Sequence, residues 1–154
     1  QMNENYGPSN FNDFANFIEA WPKDLPLTAE LRHADWFNDR GIADELYSLL
    51  EENKVGNTIT DTAGRRDILH MRLTNRTCFV RFTGANHESD VERLDEWFDR
   101  LTEWKNQGIE QINFFIHQTI EKDLQMLSVR LIQKINKQWG YNLVVPGEVN
   151  GSLL

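Results

Sequence analysis

Apolar and polar residues follow two rhythms along the chain. Four short apolar runs, at 27–33, 58–62, 78–84 and 112–118, each end in polar residues and predict strands. Between them, apolar residues recur at spacings of three and four and predict helices. Phe11, Phe14, Phe17, Ile18 and Trp21 mark a helix over 11–21. Ser9 or Asn10 is placed to cap it, and Pro22 and Pro26 stop it. Ile42, Leu46, Leu49 and Leu50 mark a second helix, capped by Asn38 or Asp39 and closed by Gly56. Val91, Leu94, Trp97, Phe98, Leu101 and Trp104 mark a third over 89–107, where Ser89 and Glu92 resemble a capping box. Leu124, Leu127, Leu131 and Ile135 mark a fourth over 120–138. Gly108 and Gly140 end the last two. Residues 34–37 read as a loop, 62–71 as a turn with one short helical piece, and 143–146 as a further short strand.

Strand–helix alternation implies an α/β fold with parallel strands and helices packed outside. In such sheets ligands lie beyond the carboxyl ends of the strands. Those ends carry Glu30, Arg32, His33, Asp61, Arg81, His117 and Gln118. Four strand–helix units make half of a TIM-type (β/α)8 barrel, which takes about 250 residues. The 154 residues are therefore expected to form a single partial domain, 1–154. A half barrel leaves open strand edges. The expected cover is a second copy of the chain in a homodimer, or an amino-terminal half outside these residues.

Composition narrows the class. Hydrophobic residues make up 40%, which excludes a disordered chain. No apolar run approaches the roughly 20 residues of a spanning helix. The first residues lack the basic-then-apolar pattern of a signal peptide. Cys78 is the one cysteine, so no intramolecular disulfide forms; this fits a reducing cytoplasm, with Cys78 as a small buried hydrophobe. The net charge of −8 argues against non-specific nucleic-acid binding. Arg65, Arg66, Arg72 and Arg76 nevertheless cluster in one connecting segment.

The strand ends suggest several chemistries. Because strand side chains alternate, Glu30 shares a face with Arg32, and Arg81 with Thr83. Arg32 and Arg81 would grip a carboxylate or phosphate, or else brace the sheet through an internal ion pair with Glu30. Asp61 with His117 or Glu30 is the natural pair for acid–base catalysis. Glu30, His33, Asp61 and His117 suit divalent ions, but no metal-binding spacing unites them and no metal is assigned. Residues 61–66 combine a strand end, Gly64 and two arginines, as a phosphate loop or a solvated turn would. Trp36, beside His33, would stack on a sugar or base, or lie as a lid over the rim.

These strand ends resemble the family called domain of unknown function 72, or YecE-like. The matching motifs are Glu30-Leu31-Arg32-His33-Ala34-Asp35-Trp36, Asp61-Thr62-Ala63-Gly64, Val80-Arg81-Phe82-Thr83-Gly84 and Phe114-Phe115-Ile116-His117-Gln118. Gln1-Met2-Asn3 is similar to the end of a further family strand that usually reads Gln-Leu-Pro. The resemblance covers the carboxyl-terminal half of the family's domain. It implies a TIM-type barrel whose activity is not established. Two positions depart from the family pattern: Thr83 stands where a His is common, and His117-Gln118 where two Asn are common. The expected function is a pocket for a small anionic or phosphorylated ligand. Arg32, His33, Trp36, Arg81 and Gln118 would bind it, beside Glu30, Asp61 and His117 as candidate catalytic groups. The alternative is a non-catalytic module for nucleic acid or protein, built on Arg65, Arg66 and Trp36. The sequence specifies no cofactor and leaves open whether the protein is an enzyme.

Overall fold

A computed structural model describes residues 1–118, 120 and 124–147. Its elements are α1 (Phe11–Ala20), β1 (Thr28–Ala29), α2 (Asp35–Asn38), α3 (Arg40–Glu52), β2 (Gly56–Thr62), β3 (Thr77–Thr83), α4 (Ser89–Asn106), β4 (Gln111–His117) and α5 (Leu124–Trp139). Short 3-10 turns at Pro8–Asn10 and Arg66–Ile68 complete them. The strands form one sheet in the order β1-β2-β3-β4, with β1–β2 and β2–β3 parallel. This is the α/β alternation the sequence predicts, and its four strands in sequential order are those of half a TIM-type barrel. No helix among the described residues is long and apolar enough to cross a membrane.

The chain divides into two compact units, Gln1–Thr83 with Gly108–Phe115, and Gly84–Gln107 with Ile116–Leu154. The first has its core in Phe14, Ile18, Leu31, Trp36, Leu46, Leu50 and Val55. These are the apolar stripes of α1 and α3 together with Leu31 just past β1, Trp36 of α2 and Val55 just before β2. In the second unit α4 packs on α5. Phe98 stacks on Trp139 at 5.5 Å between ring centroids, and Asp95 holds Arg130 at 2.6 Å and Lys134 at 3.1 Å. Trp97 and Trp104 are buried, as their helical spacing predicts.

Strand alternation sets the faces. In β3, Cys78, Val80 and Phe82 are fully buried, while Phe79, Arg81 and Thr83 on the other face are half-buried. Thr60 of β2 is in register with Arg81, so the two share that second face. Phe79 stacks on Phe115 at 4.9 Å, and Phe115 remains 44% exposed. Burial pushes the Cys78 thiol up to about 12, so it stays protonated and inert at neutral pH.

Several local expectations need correction. The first predicted strand is regular only at Thr28–Ala29. Beyond it the chain is still held at its edge, where Met2 N–H donates to the Glu30 carbonyl at 2.9 Å. Residues 34–37 are not a loop: Asp35–Asn38 form a short helix that drives Trp36 into the core. Gly56 does not stop α3. The helix is instead left through Lys54, at φ +58°, and Gly56 lies in β2. A Cβ there would come within 2.8 Å of Thr28 Oγ1, so close strand pairing requires the glycine. Ser89 and Glu92 form no capping box, because Ser89 is already the first helical residue. The predicted strand at 143–146 is absent. Asn136 satisfies both the N–H and the carbonyl of Leu143, and Val144 is exposed. The predicted start of the last helix falls partly outside the described residues.

Candidate functional site

In the first unit, charged side chains converge beyond β1, β2 and β3. Glu30 is buried at 5% exposure. Arg81 Nη1 donates to both its carboxylate oxygens, at 2.8 and 2.7 Å, and Thr60 Oγ1 donates to Oε1 at 3.2 Å. Glu30, one residue past β1, thus brings its carboxylate to the guanidinium of Arg81 on β3 and the hydroxyl of Thr60 on β2. Of the two readings of this cluster, the internal Glu30–Arg81 ion pair is formed here. Such a pair offsets the desolvation of a buried carboxylate only because its hydrogen bonds are also satisfied.

Arg32 is bound differently. Its Nε lies 3.9 Å from Glu30 Oε1, too far for a hydrogen bond. That buried Nε has no hydrogen-bond partner among the described residues. Its Nη2 meets Glu4 Oε1 at 2.7 Å, and the same oxygen lies 4.0 Å from Arg65 Nη1. Arg65 also donates to the Arg32 carbonyl at 3.2 Å and to Asp67 at 3.0 Å. This pairing with Arg65 holds the Asp67 carboxyl below the usual range.

The other predicted residues go elsewhere. Asp61 is buried, and alternation puts it on the Ile59 face, opposite Thr60 and Arg81. Arg66 Nη1 lies 3.6 Å from its Oδ1. His33 packs against Gly7; its Nδ1 accepts from Asp35 N–H at 3.2 Å. It borders a cleft of about 450 Å³ with Asp35, Asn38 and Asp39. Trp36 is fully buried among Tyr6, Phe11 and Phe14, and its Nε1 donates to the Tyr6 carbonyl at 2.6 Å. It is a core residue, not a stacking platform or a rim lid.

His117 and Gln118 belong to the second unit. His117 is exposed on its side chain, and its carbonyl accepts from Gly84 N–H at 2.9 Å. Gln118 Nε2 donates to Asp90 Oδ2 at 3.3 Å, and its Oε1 accepts from Asn86 at 3.2 Å. Asp90 is 1% exposed. It accepts from Ala85 N–H at 2.8 Å, from His87 N–H at 3.3 Å and from Arg93 at 3.1 Å. A Cβ on Gly84 would sit 2.6 Å from Asp90 Oδ2, which accounts for the glycine closing the Val80–Gly84 motif.

Sequence reasoning missed Glu4, Thr60 and Asp90. Thr60 had a signal: it alternates with Thr58 and Thr62 on one strand. Asp90 was obscured by the apparent capping box beside it. Glu4 lies in a turn with no pattern at all. No group of three or more His, Cys, Asp or Glu among the described residues is placed to hold a metal ion.

Comparisons with known proteins agree with this architecture. The strands, their order and the intervening helices define an α/β protein of the barrel type. The family described as "Protein of unknown function DUF72" matches residues 1–147, and the chain belongs to it. A DUF72 family protein from Enterococcus faecalis V583 superposes with TM-score 0.70 at 17% identity, covering 88% of this chain and 59% of that one. A DUF72 family protein from Thermotoga maritima MSB8 gives TM-score 0.66 at 16% identity, covering 86% and 54%. The chain thus spans less than two thirds of these relatives' length. No curated protein matches it.

Proposed function

We propose that this DUF72 protein binds a small anionic ligand at the strand ends of its first unit. The observation that supports this most is the buried Arg32 Nε–H without an acceptor. A buried donor left unmade costs about 1–3 kcal/mol, and an incoming oxyanion would relieve it. Arg32 and Arg81 keep about a third of their side chains exposed, at 31% and 29%. Both side chains are therefore partly open to solvent, and Glu30 fixes the Arg81 rotamer. Glu30 acts as the positioning carboxylate of this site. The compartment that fits a lone buried thiol is the cytoplasm.

Ligand-dependent melting tests the reading. At high concentration at least one member of a panel of carboxylates, phosphate and nucleotides should raise the Tm of the wild type, and the rise should vanish in Arg32→Ala and shrink in Arg81→Ala. An unchanged Tm across the panel defeats the pocket. A rise that survives loss of both arginines defeats the residue assignment.

The half-exposed ring pair Phe79–Phe115 supports a second proposal, that strands from outside residues 1–154 cover this sheet face. Light scattering bears on it directly. Residues 1–154 alone should self-associate, and a clean monomer over a wide concentration range counts against an uncovered apolar face.

A further inference from the structure

Resting on the anion-site reading, we infer that Glu4 is a tethered competitor occupying the place of a ligand carboxylate, and that the site takes a monocarboxylate. Glu4 is 54% exposed, yet its Oε1 makes a 2.7 Å contact with Arg32 Nη2 and stands 4.0 Å from Arg65 Nη1. It rides on a turn anchored at both ends. Met2 N–H donates to the Glu30 carbonyl, Tyr6 N–H donates to the Asn3 carbonyl, and the Tyr6 carbonyl accepts from Trp36. Asn5 N–H donates to the Asn3 side chain within the turn. The turn therefore stays in place while the Glu4 side chain swings into solvent. Only side-chain rotation separates the occupied arrangement from the open one.

Charge selects the ligand. Arg32, Arg65 and Arg81 face Glu4, Glu30 and Asp67, so the cluster is balanced with Glu4 in place. Withdrawal of Glu4 leaves one positive charge in excess. One carboxylate restores the balance and matches the planar guanidinium edge. A dianionic phosphate would overshoot it beside the buried Glu30. A side chain held on a short tether competes at millimolar effective concentration. Free carboxylates therefore bind the intact protein weakly, and removal of Glu4 unmasks the site.

Chemical rescue tests this. Wild type, Glu4→Ala, Glu4→Gln and Glu4→Ala/Arg32→Ala are melted with sodium acetate, sodium phosphate or sodium chloride at constant ionic strength. Acetate should raise the Tm of Glu4→Ala at a concentration at least tenfold lower than in the wild type. Chloride should do nothing, and the double variant should not respond. Glu4→Gln, which keeps the shape but not the charge, should also respond more than the wild type. Equal acetate responses in wild type and both Glu4 variants, all lost with Arg32, overturn the competitor role while leaving the anion site intact. No Arg32-dependent response to any anion overturns both. A stronger response to phosphate than to acetate overturns the monocarboxylate assignment.

Discussion

The two units each carry a buried carboxylate near a strand end, and the two are satisfied in opposite ways. Asp90 is held by the N–H groups of Ala85 and His87, by Arg93 one turn along its own helix, and by Gln118. Its partners are local backbone, Arg93 of its own helix and the more distant Gln118, and Gly84 is packed so tightly that no Cβ fits. Among the described residues Glu30 accepts from the side chains of Thr60 and Arg81 on neighbouring strands, with Arg32 Nε 3.9 Å away. Next to it Arg32 keeps an unused buried donor and leans on an exposed acid. The lesson lies in leftover bonding capacity rather than in charge. A buried acid held by its neighbouring backbone N–H groups and its own helix closes a loop. A polar group with an unused donor and an exposed, replaceable partner has room for a ligand.

The largest effect should come from breaking the Asp90 knot. Asp90→Ala removes the acceptor of two backbone N–H groups and of one Arg93 bond and should cost about 3 kcal/mol or more in urea melts. Gly84→Ala should also destabilise, because the new Cβ meets Asp90. A loss below about 1 kcal/mol for Asp90→Ala would erase the contrast between the units.

Acidification sharpens the comparison from outside both clusters. His70 is buried against Phe37, with Nε2 on the Thr58 carbonyl and Nδ1 near Asn57, and burial lowers its pKa from 6.5 to about 4. As pH falls the unfolded chain takes the proton first. The stability is therefore whole above 6.5 and is lost progressively down to about 4. The loss is on the order of 3 kcal/mol at 1.36 kcal/mol per pKa unit. His70→Gln should flatten the pH dependence of stability across this window. An unchanged slope would assign the acid sensitivity to other groups.

Glu30→Gln should cost less, about 1–2 kcal/mol, since the amide still accepts from Thr60 but weakens the bond to Arg81. Glu4→Ala should cost under about 1 kcal/mol, as an exposed pair does. A Glu4 loss as large as that of Asp90 would make Glu4 a structural brace like its counterpart.

Much of this fold was legible in the sequence because burial is periodic. The stripes on α1, α3, α4 and α5 and the alternation of β3 reflect faces that must leave water. What escaped was set by single contacts. Trp36 read as a loop residue because nothing in the pattern shows that Tyr6, Phe11 and Phe14 enclose it. The first strand looked longer than it is because its pattern continues where the sheet pairing ends. Among the strand-end residues, Glu30 meets Arg81 and lies 3.9 Å from Arg32, although the chain has left regular strand pairing by Glu30. Asp61 is one residue out of phase and turns away to Arg66. Glu4 could not be found from spacing, because the turn that presents it has no period.

The central claim is that Arg32 keeps a buried donor without an acceptor, whereas Arg93 is bonded to the buried Asp90. The most direct measurement is a titration of Glu4→Ala with acetate at constant ionic strength, followed by the arginine Nε–Hε resonances in NMR. The account predicts a saturable shift of the Arg32 resonance while that of Arg93 stays fixed. A stationary Arg32 resonance, or parallel drift of both, would contradict it.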